Sequence, residues 1–318
     1  MEEQLLAFPK QFSWEPEVRG AVPAFARAIV CGMGGSALSA RLLAHLEPSL
    51  PFSMWQDYGL PPVSGGEKPL IILSSYSGDT EEVLDAAHEA LSRGLPCAVI
   101  TSGGALLKLA EEKNMPYVVL PKDGIEPRMA VGYAMLAVLR VLGASETEAK
   151  LRAAGSALDA AAADEAGKKL AAGLANRLPL IYASHAHGAV AYFWKIAMNE
   201  TAKIPAFTAE VPELCHNELC GFDVVDETAA LSKNMLAVLL RDEADHPRNA
   251  KRLSLVEAIL REKGIETAVV ELTGADSYAK ALYGILAGVS AATVLAHRYG
   301  VPDSATPLIA DFKKRMLS

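Results

Sequence analysis

The chain is expected to be an α/β protein, with two doubly wound parallel-sheet subdomains and a short C-terminal helix. Three observations predict this. Short apolar runs alternate with segments of helical period along the whole length, and several runs end in glycine- or hydroxyl-rich turns that lead straight into a helix. The alternation occurs twice, on either side of an alanine-rich stretch, and 318 residues exceed a typical single small domain. The boundary is therefore expected within that stretch, giving subdomains of residues 1–145 and 146–318.

Composition sets the limits. Hydrophobic residues make up 51% and charged residues 21%, enough apolar side chain for a filled core and too much for disorder. The net charge of -8, with no run of Lys or Arg, excludes a general nucleic-acid surface, so attraction for an anionic ligand must be local. MEEQLLAFPK carries acids where an export signal carries bases. Ala281–Ala296 is apolar but falls short of the ~20 residues a bilayer needs, and reads as a buried helix. Cys31, Cys97, Cys215 and Cys220 do not make a disulfide framework in a chain of this size, and the cytoplasm is the expected compartment.

In chain order, Ala28–Gly32 is a strand running into Met33, Gly34, Gly35 and Ser36, after which Leu38, Leu42, Leu43 and Leu46 share one helix face. Pro51–Trp55 is a strand and residues 61–68 a Pro/Gly loop. Leu70–Leu73 is a buried strand, followed by Ser74, Ser75, Tyr76, Ser77, Gly78, Asp79 and Thr80 and by a helix from Glu81. At such a junction unpaired backbone N–H groups and the positive end of the helix dipole converge, and Ser75, Ser77 and Thr80 add neutral donors. Gly35 lets backbone approach a ligand closely beside Ser36. Both turns suit a phosphate, which makes residues 1–145 the expected phosphate-binding subdomain. A dinucleotide site is disfavoured, because GMGGSA lacks the G-x-G-x-x-G spacing and Asp57 is the nearest candidate acid.

Strands at Leu95–Thr101 and Tyr117–Leu120, with a helix at Gly104–Lys113, complete the first series. Arg128 then opens an apolar helix from Met129 to Leu142, where the dipole does not favour a cation. That placement suggests use, with a surface ion pair as the alternative. Residues 146–178 read as one or two helices, broken at Gly155 and Gly167. The second series has strands at Pro179–Ala183, Met235–Leu240 and Thr267–Leu272, and helices at His187–Lys203, Arg248–Lys263, Ser277–Tyr299 and Thr306–Leu317.

Chemistry-bearing residues of the second series collect on one long segment. Asn199 and Glu200 fall at a helix end; a partly desolvated Glu200 is a suitable base for moving a proton between adjacent carbons. His216, within the polar cluster His216, Asn217 and Glu218, is an acid or base near neutral pH. Cys215, His216 and Cys220 lack a fourth ligand at zinc spacing, so no metal is expected. His185 and His187 read as capping or lining residues.

GMGGSA at Gly32–Ala37, SSYSGDT at Ser74–Thr80, EPR at Glu126–Arg128, WKxxxNE at Trp194–Glu200 and ELCHNE at Glu213–Glu218 occur in that order. Together they resemble the bifunctional phosphoglucose/phosphomannose isomerase family of the sugar-isomerase (SIS) domain superfamily. The resemblance implies two SIS subdomains, the second carrying the catalytic Glu/His segment and the last helix. It implies interconversion of fructose 6-phosphate with glucose 6-phosphate and mannose 6-phosphate, in glycolysis and mannose metabolism, with no metal or organic cofactor. It also implies a homodimer acting on a phosphosugar. Gly35, Ser36, Ser75, Ser77 and Thr80 would hold the phosphate. Glu200 would carry the proton through a cis-enediol, Arg128 would stabilise the enediolate, and His216 of the partner subunit would assist ring opening. The I-x-x-x-K register of IADFK picks Lys313 as the partner lysine, with Lys314 the alternative, and Thr306 would touch the substrate. Phe193 stands where the family leads one to expect arginine. Other readings are an isomerase for another sugar phosphate and a SIS module that only senses one. Glutamine-dependent amidotransfer would need an N-terminal cysteine nucleophile domain.

Overall fold

The structure is a computed structural model describing residues 1–63 and 66–316. Ser64 and Gly65 of the expected Pro/Gly loop, Leu317 at the expected end of the last helix, and Ser318 lie outside the described residues. The chain divides into two compact units, Ala7–Ala157 and Leu158–Ser318, the latter joined by Met1–Leu6. The division falls one helix later than expected.

The first unit holds a six-stranded sheet: β1 (Val18–Arg19), β2 (Ala28–Gly32), β3 (Phe52–Trp55), β4 (Leu70–Ser75), β5 (Cys97–Thr101) and β6 (Tyr117–Val119), in the order β1-β6-β5-β4-β2-β3. All pairs are parallel except β1 with β6. β2, β4 and β5 are buried along their whole length, so they read as continuous apolar runs, as central strands covered by helices on both faces must. After α1 (Glu2–Ala7), the crossovers are α2 (Gly34–Leu46), α3 (Glu81–Ser92) and α4 (Gly104–Glu112), and α5 (Val131–Leu142) and α6 (Ser145–Ser156) follow the sheet. α6 packs on α5 and on the 3-10 turn Phe8–Ser13, which is why it belongs to the first unit. Gly155 stands one residue before the end of α6, so the expected break falls there, and it also serves that contact: an added Cβ would lie 2.1 Å from the Phe12 ring.

The second unit opens with α7 (Ala160–Leu174) and carries a fully parallel sheet of β7 (Leu178–Ser184), β8 (Phe207–Val211), β9 (Met235–Arg241) and β10 (Glu266–Glu271), in the order β10-β9-β7-β8. This repeats the β5-β4-β2-β3 order of the first unit. Its helices are α8 (Gly188–Ala197), α9 (Ala229–Ser232), α10 (Pro247–Glu262), α11 (Ser277–Tyr299) and α12 (Pro307–Met316). α11 is long and apolar enough to cross a membrane, yet 83% of its most apolar stretch is buried within the fold, as expected of a core helix. α7 runs unbroken through Gly167 and packs on α11. An added Cβ there would lie 2.3 Å from the Ala287 carbonyl oxygen, so this glycine serves close helix packing and does not interrupt the helix.

Candidate functional site

In the first unit β2 and β4 are neighbours, with Gly32 opposite Ser74, so both turns leave the same edge of the sheet. Neither Met33 nor Thr80, the residues preceding α2 and α3, makes a side-chain cap hydrogen bond. The first-turn N–H groups of both helices are thus not satisfied by a cap, which suits an anion. The hydroxyls are arranged by backbone donors. Tyr76 N–H donates to Ser36 Oγ at 3.1 Å, tying the two turns together; Gly78 N–H donates to Ser75 Oγ at 3.0 Å, and Asp79 N–H to Ser77 Oγ at 3.2 Å. Ser75 Oγ and Thr80 Oγ1 share a hydrogen bond of 2.8 Å. Because Ser36 and Ser77 use their oxygens as acceptors here, their O–H groups remain for an incoming oxyanion. Gly78, at φ +78°, crosses so close to Gly103 that no side chain fits, which holds the turn in shape.

Gly35 packs its Cα directly against the backbone of Pro127 and Arg128. Arg128 stands in the 3-10 turn Pro127–Met129 before α5, is 5% exposed, and lies 3.5 Å from Glu126. The arginine is buried while its partner is 29% exposed, so the pair is half-buried and not the surface pair weighed from the sequence. Gln11 Nε2 donates to Met129 O at 2.7 Å and fixes this turn from the core.

In the second unit α8 is pinned to α11 by Trp194, which is fully buried and donates from Nε1 to Gly284 O at 2.7 Å. Phe193 is 1% exposed, which explains an apolar residue where arginine was expected: a charge there would need its own buried partner. The helix then widens into a π turn, Met198–Ala202, a distortion frequent at functional sites. Lys203 ends it in left-handed conformation, at φ 58°, and donates from Nζ to the Glu200 carbonyl oxygen. Asn199 Oδ1 accepts from Ala206 N–H at 3.1 Å. This places Asn199, Glu200 and Lys203 on the wall of an open cavity of about 590 Å³, bordered by Ile204, Pro205, Val301, Pro302 and the start of α12 with Thr306. Lys203 and Pro302 were not singled out from sequence; the lysine follows Glu200 by less than a helical turn, a spacing that alone marks nothing.

His216 is exposed at the end of the 3-10 turn Glu213–His216 and does not line that cavity. Lys313 and Lys314 are exposed on α12, which buries none of its residues, and neither lines it. His185 Nδ1 lies 2.6 Å from Glu210, and buried His187 lies 2.8 Å from Asp242, which also accepts from Lys280 Nζ at 2.5 Å.

Repeated parallel sheets, a hydroxyl-lined turn at a strand end and a carboxylate-bearing cavity define a SIS-type α/β protein. Residues 163–316 match the family model described as the bacterial phospho-glucose isomerase C-terminal SIS domain. The chain is 29% identical to the bifunctional phosphoglucose/phosphomannose isomerase of Aquifex aeolicus, covering 97% of this chain and 96% of that one. It is 31% identical to the protein of the same name from Thermoplasma acidophilum, covering 92% and 90%. A hypothetical protein from Thermus thermophilus shares the fold, with a TM-score of 0.71 at 16% identity over 100% of this chain and 87% of that one. The chain belongs to the bifunctional phosphoglucose/phosphomannose isomerase family.

Proposed function

We propose that the chain interconverts fructose 6-phosphate with glucose 6-phosphate and with mannose 6-phosphate. The observation that carries this reading is Glu200, which a π turn presents at the wall of an otherwise largely apolar cavity beside Asn199, Lys203 and Thr306. Such a wall desolvates a carboxylate part-way and suits it to act as a base.

Ring opening comes first. The bond between the anomeric carbon and the ring oxygen breaks as the anomeric hydroxyl loses its proton and the ring oxygen gains one; His216 of the partner subunit in a homodimer assists. The exposure of His216 supports that assignment. Glu200 then removes the proton from C2 of the aldose, the electrons of that C–H bond form the C1–C2 double bond, and the negative charge passes to the carbonyl oxygen. Arg128 stabilises this cis-enediolate where charge develops. O1 then gains a proton as the O2 hydroxyl loses one, and the proton held by Glu200 adds to C1 as the C2 carbonyl forms, which gives the ketose; atoms and electrons balance without an external oxidant or reductant. C2 of the intermediate is planar. Rotation about C2–C3 offers either face to the same base, so one carboxylate serves both epimers.

Gly35, Ser36, Ser75, Ser77 and Thr80 hold the phosphate with neutral donors and two helix N-termini, which reconciles a dianionic ligand with a net charge of -8. Thr306 touches the sugar, and Lys313 partners His216. Four free cysteines support a reducing, cytoplasmic setting. The test is Glu200→Gln: turnover falls at least about 10²-fold while sugar-phosphate binding is kept, the pattern of a group used chiefly in the transition state. Loss of binding in parallel with turnover would remove Glu200 from the role of base.

A further inference from the structure

We propose that Tyr182 and Glu218 form a positioning pair that holds His216 in place for opening the sugar ring. The inference rests on the role given to His216 above.

His216 lies between two short 3-10 segments, Glu213–His216 and Glu218–Phe222. Segments of this length do not hold themselves rigid in water, because each fixes several backbone torsions for one or two hydrogen bonds. A group that transfers a proton must nevertheless stay within hydrogen-bond reach of it. Leu214 and Phe222 anchor the ends of the stretch in the apolar core, in the same cluster as Tyr182 on β7. Between them Cys215 packs against the same cluster, and single backbone hydrogen bonds, Cys215 N–H to Pro212 O and Cys220 N–H to Asn217 O, close the two turns, while His216 and Asn217 stay exposed.

A side-chain tie from the sheet adds to these contacts. Tyr182 is 1% exposed, on a strand flanked by β8 and β9, and its phenol donates to Glu218 Oε1 at 2.5 Å. Glu218 N–H in turn donates to Asn217 Oδ1, and Asn217 Nδ2 donates to Glu213 Oε1 at 2.8 Å. The polar chain Tyr182, Glu218, Asn217, Glu213 thus runs from the rigid sheet to both sides of His216. Burial, then the Glu218 carboxylate, push the phenol well above its usual pKa, so it remains a donor throughout the working pH range. A buried phenol needs an acceptor. Here the acceptor is the side chain two residues from the candidate acid–base group, and its loss releases the segment that carries it.

The experiment separates ring opening from the later proton transfer. 5-Deoxyfructose 6-phosphate lacks the hydroxyl that closes the furanose ring, so it enters as the open ketose, whereas fructose 6-phosphate must first be opened. In Tyr182→Phe and Glu218→Ala, kcat on fructose 6-phosphate should fall about tenfold or more, within the range of general acid–base catalysis. On the 5-deoxy substrate kcat should stay within about twofold, because its isomerisation does not call on that proton transfer. Glu218→Gln keeps an acceptor for the phenol and should retain most activity on both. His216→Ala is the reference and should show the same substrate selectivity. Equal losses on both substrates in Tyr182→Phe, or no loss on either, alongside a selective His216→Ala, would overturn the positioning role. Equal losses in His216→Ala itself would instead overturn the ring-opening role, and the positioning role with it. Thermal melts of each variant identify any loss that comes from misfolding; Tyr182→Phe, which removes one atom, is the variant that should fold as wild type.

Discussion

Adding one methyl group at Gly35 probes how the Ser36 turn and Arg128 are held together. The backbone of Gly35 lies outside the left-handed region, so alanine is conformationally allowed there. Its Cβ would, however, stand 2.9 Å from Pro127 O, 3.1 Å from Arg128 Cα and 3.2 Å from Arg128 N, where ordinary contact begins at 3.4 Å. All three neighbours are main-chain atoms of the turn pinned by Gln11, so relief must come from moving α2 or Arg128. Overpacking of this kind costs about 1–3 kcal/mol, offset by up to about 1 kcal/mol from the reduced freedom of the unfolded chain. A net loss of about 1–2 kcal/mol lowers Tm by roughly 2–8 °C. Separating Arg128 from the Ser36 turn by a fraction of an ångström should lower kcat/KM about tenfold, since misplacements near 1 Å cost about 10²-fold. Gly34→Ala is the matched control. Gly34 has φ +52° with nothing near its Cβ, so alanine there costs about 1–2 kcal/mol of backbone strain without pushing on Arg128. Melting curves and steady-state isomerase rates should therefore show similar stability losses and unequal activity losses. Wild-type activity in Gly35→Ala, or an equal activity loss in Gly34→Ala, would refute the reasoning.

Ser77→Ala should raise KM for the sugar phosphate with little change in kcat, the pattern expected of the phosphate-binding role proposed for its hydroxyl; an unchanged KM takes Ser77 out of the site. Burial works to raise the Asp242 pKa, but hydrogen bonds from Lys280, Ala244 N–H and His187 outweigh it and hold it below the usual value. Its stabilisation is thus complete above the unfolded pKa near 4 and is lost as pH falls through the lower native value, so Asp242→Asn should flatten the fall of Tm below about pH 4. An unchanged acid limb would contradict this. Burial pushes the Cys31 thiol up to about 12 and Cys97 up to about 11, while Cys220 is exposed. An alkylating reagent at pH 8 should label Cys220 in the native protein and reach Cys31 and Cys97 only on unfolding, as peptide mapping would reveal.

The strands and the turns that follow them were legible because a buried parallel strand is an unbroken apolar run, and because glycine and hydroxyl clusters at its end have few other uses. Leu70–Leu73 became β4 and Ser277–Tyr299 became α11 at the expected bounds, or within a turn of them. β8 is not among the strands read from the sequence: its partly exposed FTAEV lacks the full apolar run of an interior strand. Gly155 was read as a break and does stand at the end of α6; Gly167 was read as one too because propensity is local, whereas the reason for glycine there is a neighbour distant in sequence, α11. Glu200 was visible as a residue type at a helix end. The π turn that presents it, and the left-handed Lys203 beside it, have no periodic signature. The family motif singles out Lys313 and His216, but one chain leaves both exposed, outside the cavity that Glu200 lines.

The central claim is tested most directly by incubating the purified chain with fructose 6-phosphate and a metal chelator, and following glucose 6-phosphate and mannose 6-phosphate separately. Both products should form, each reaching its equilibrium ratio with fructose 6-phosphate. Saturable binding of fructose 6-phosphate with neither product formed would contradict it and leave a protein that binds a phosphosugar without isomerising this one.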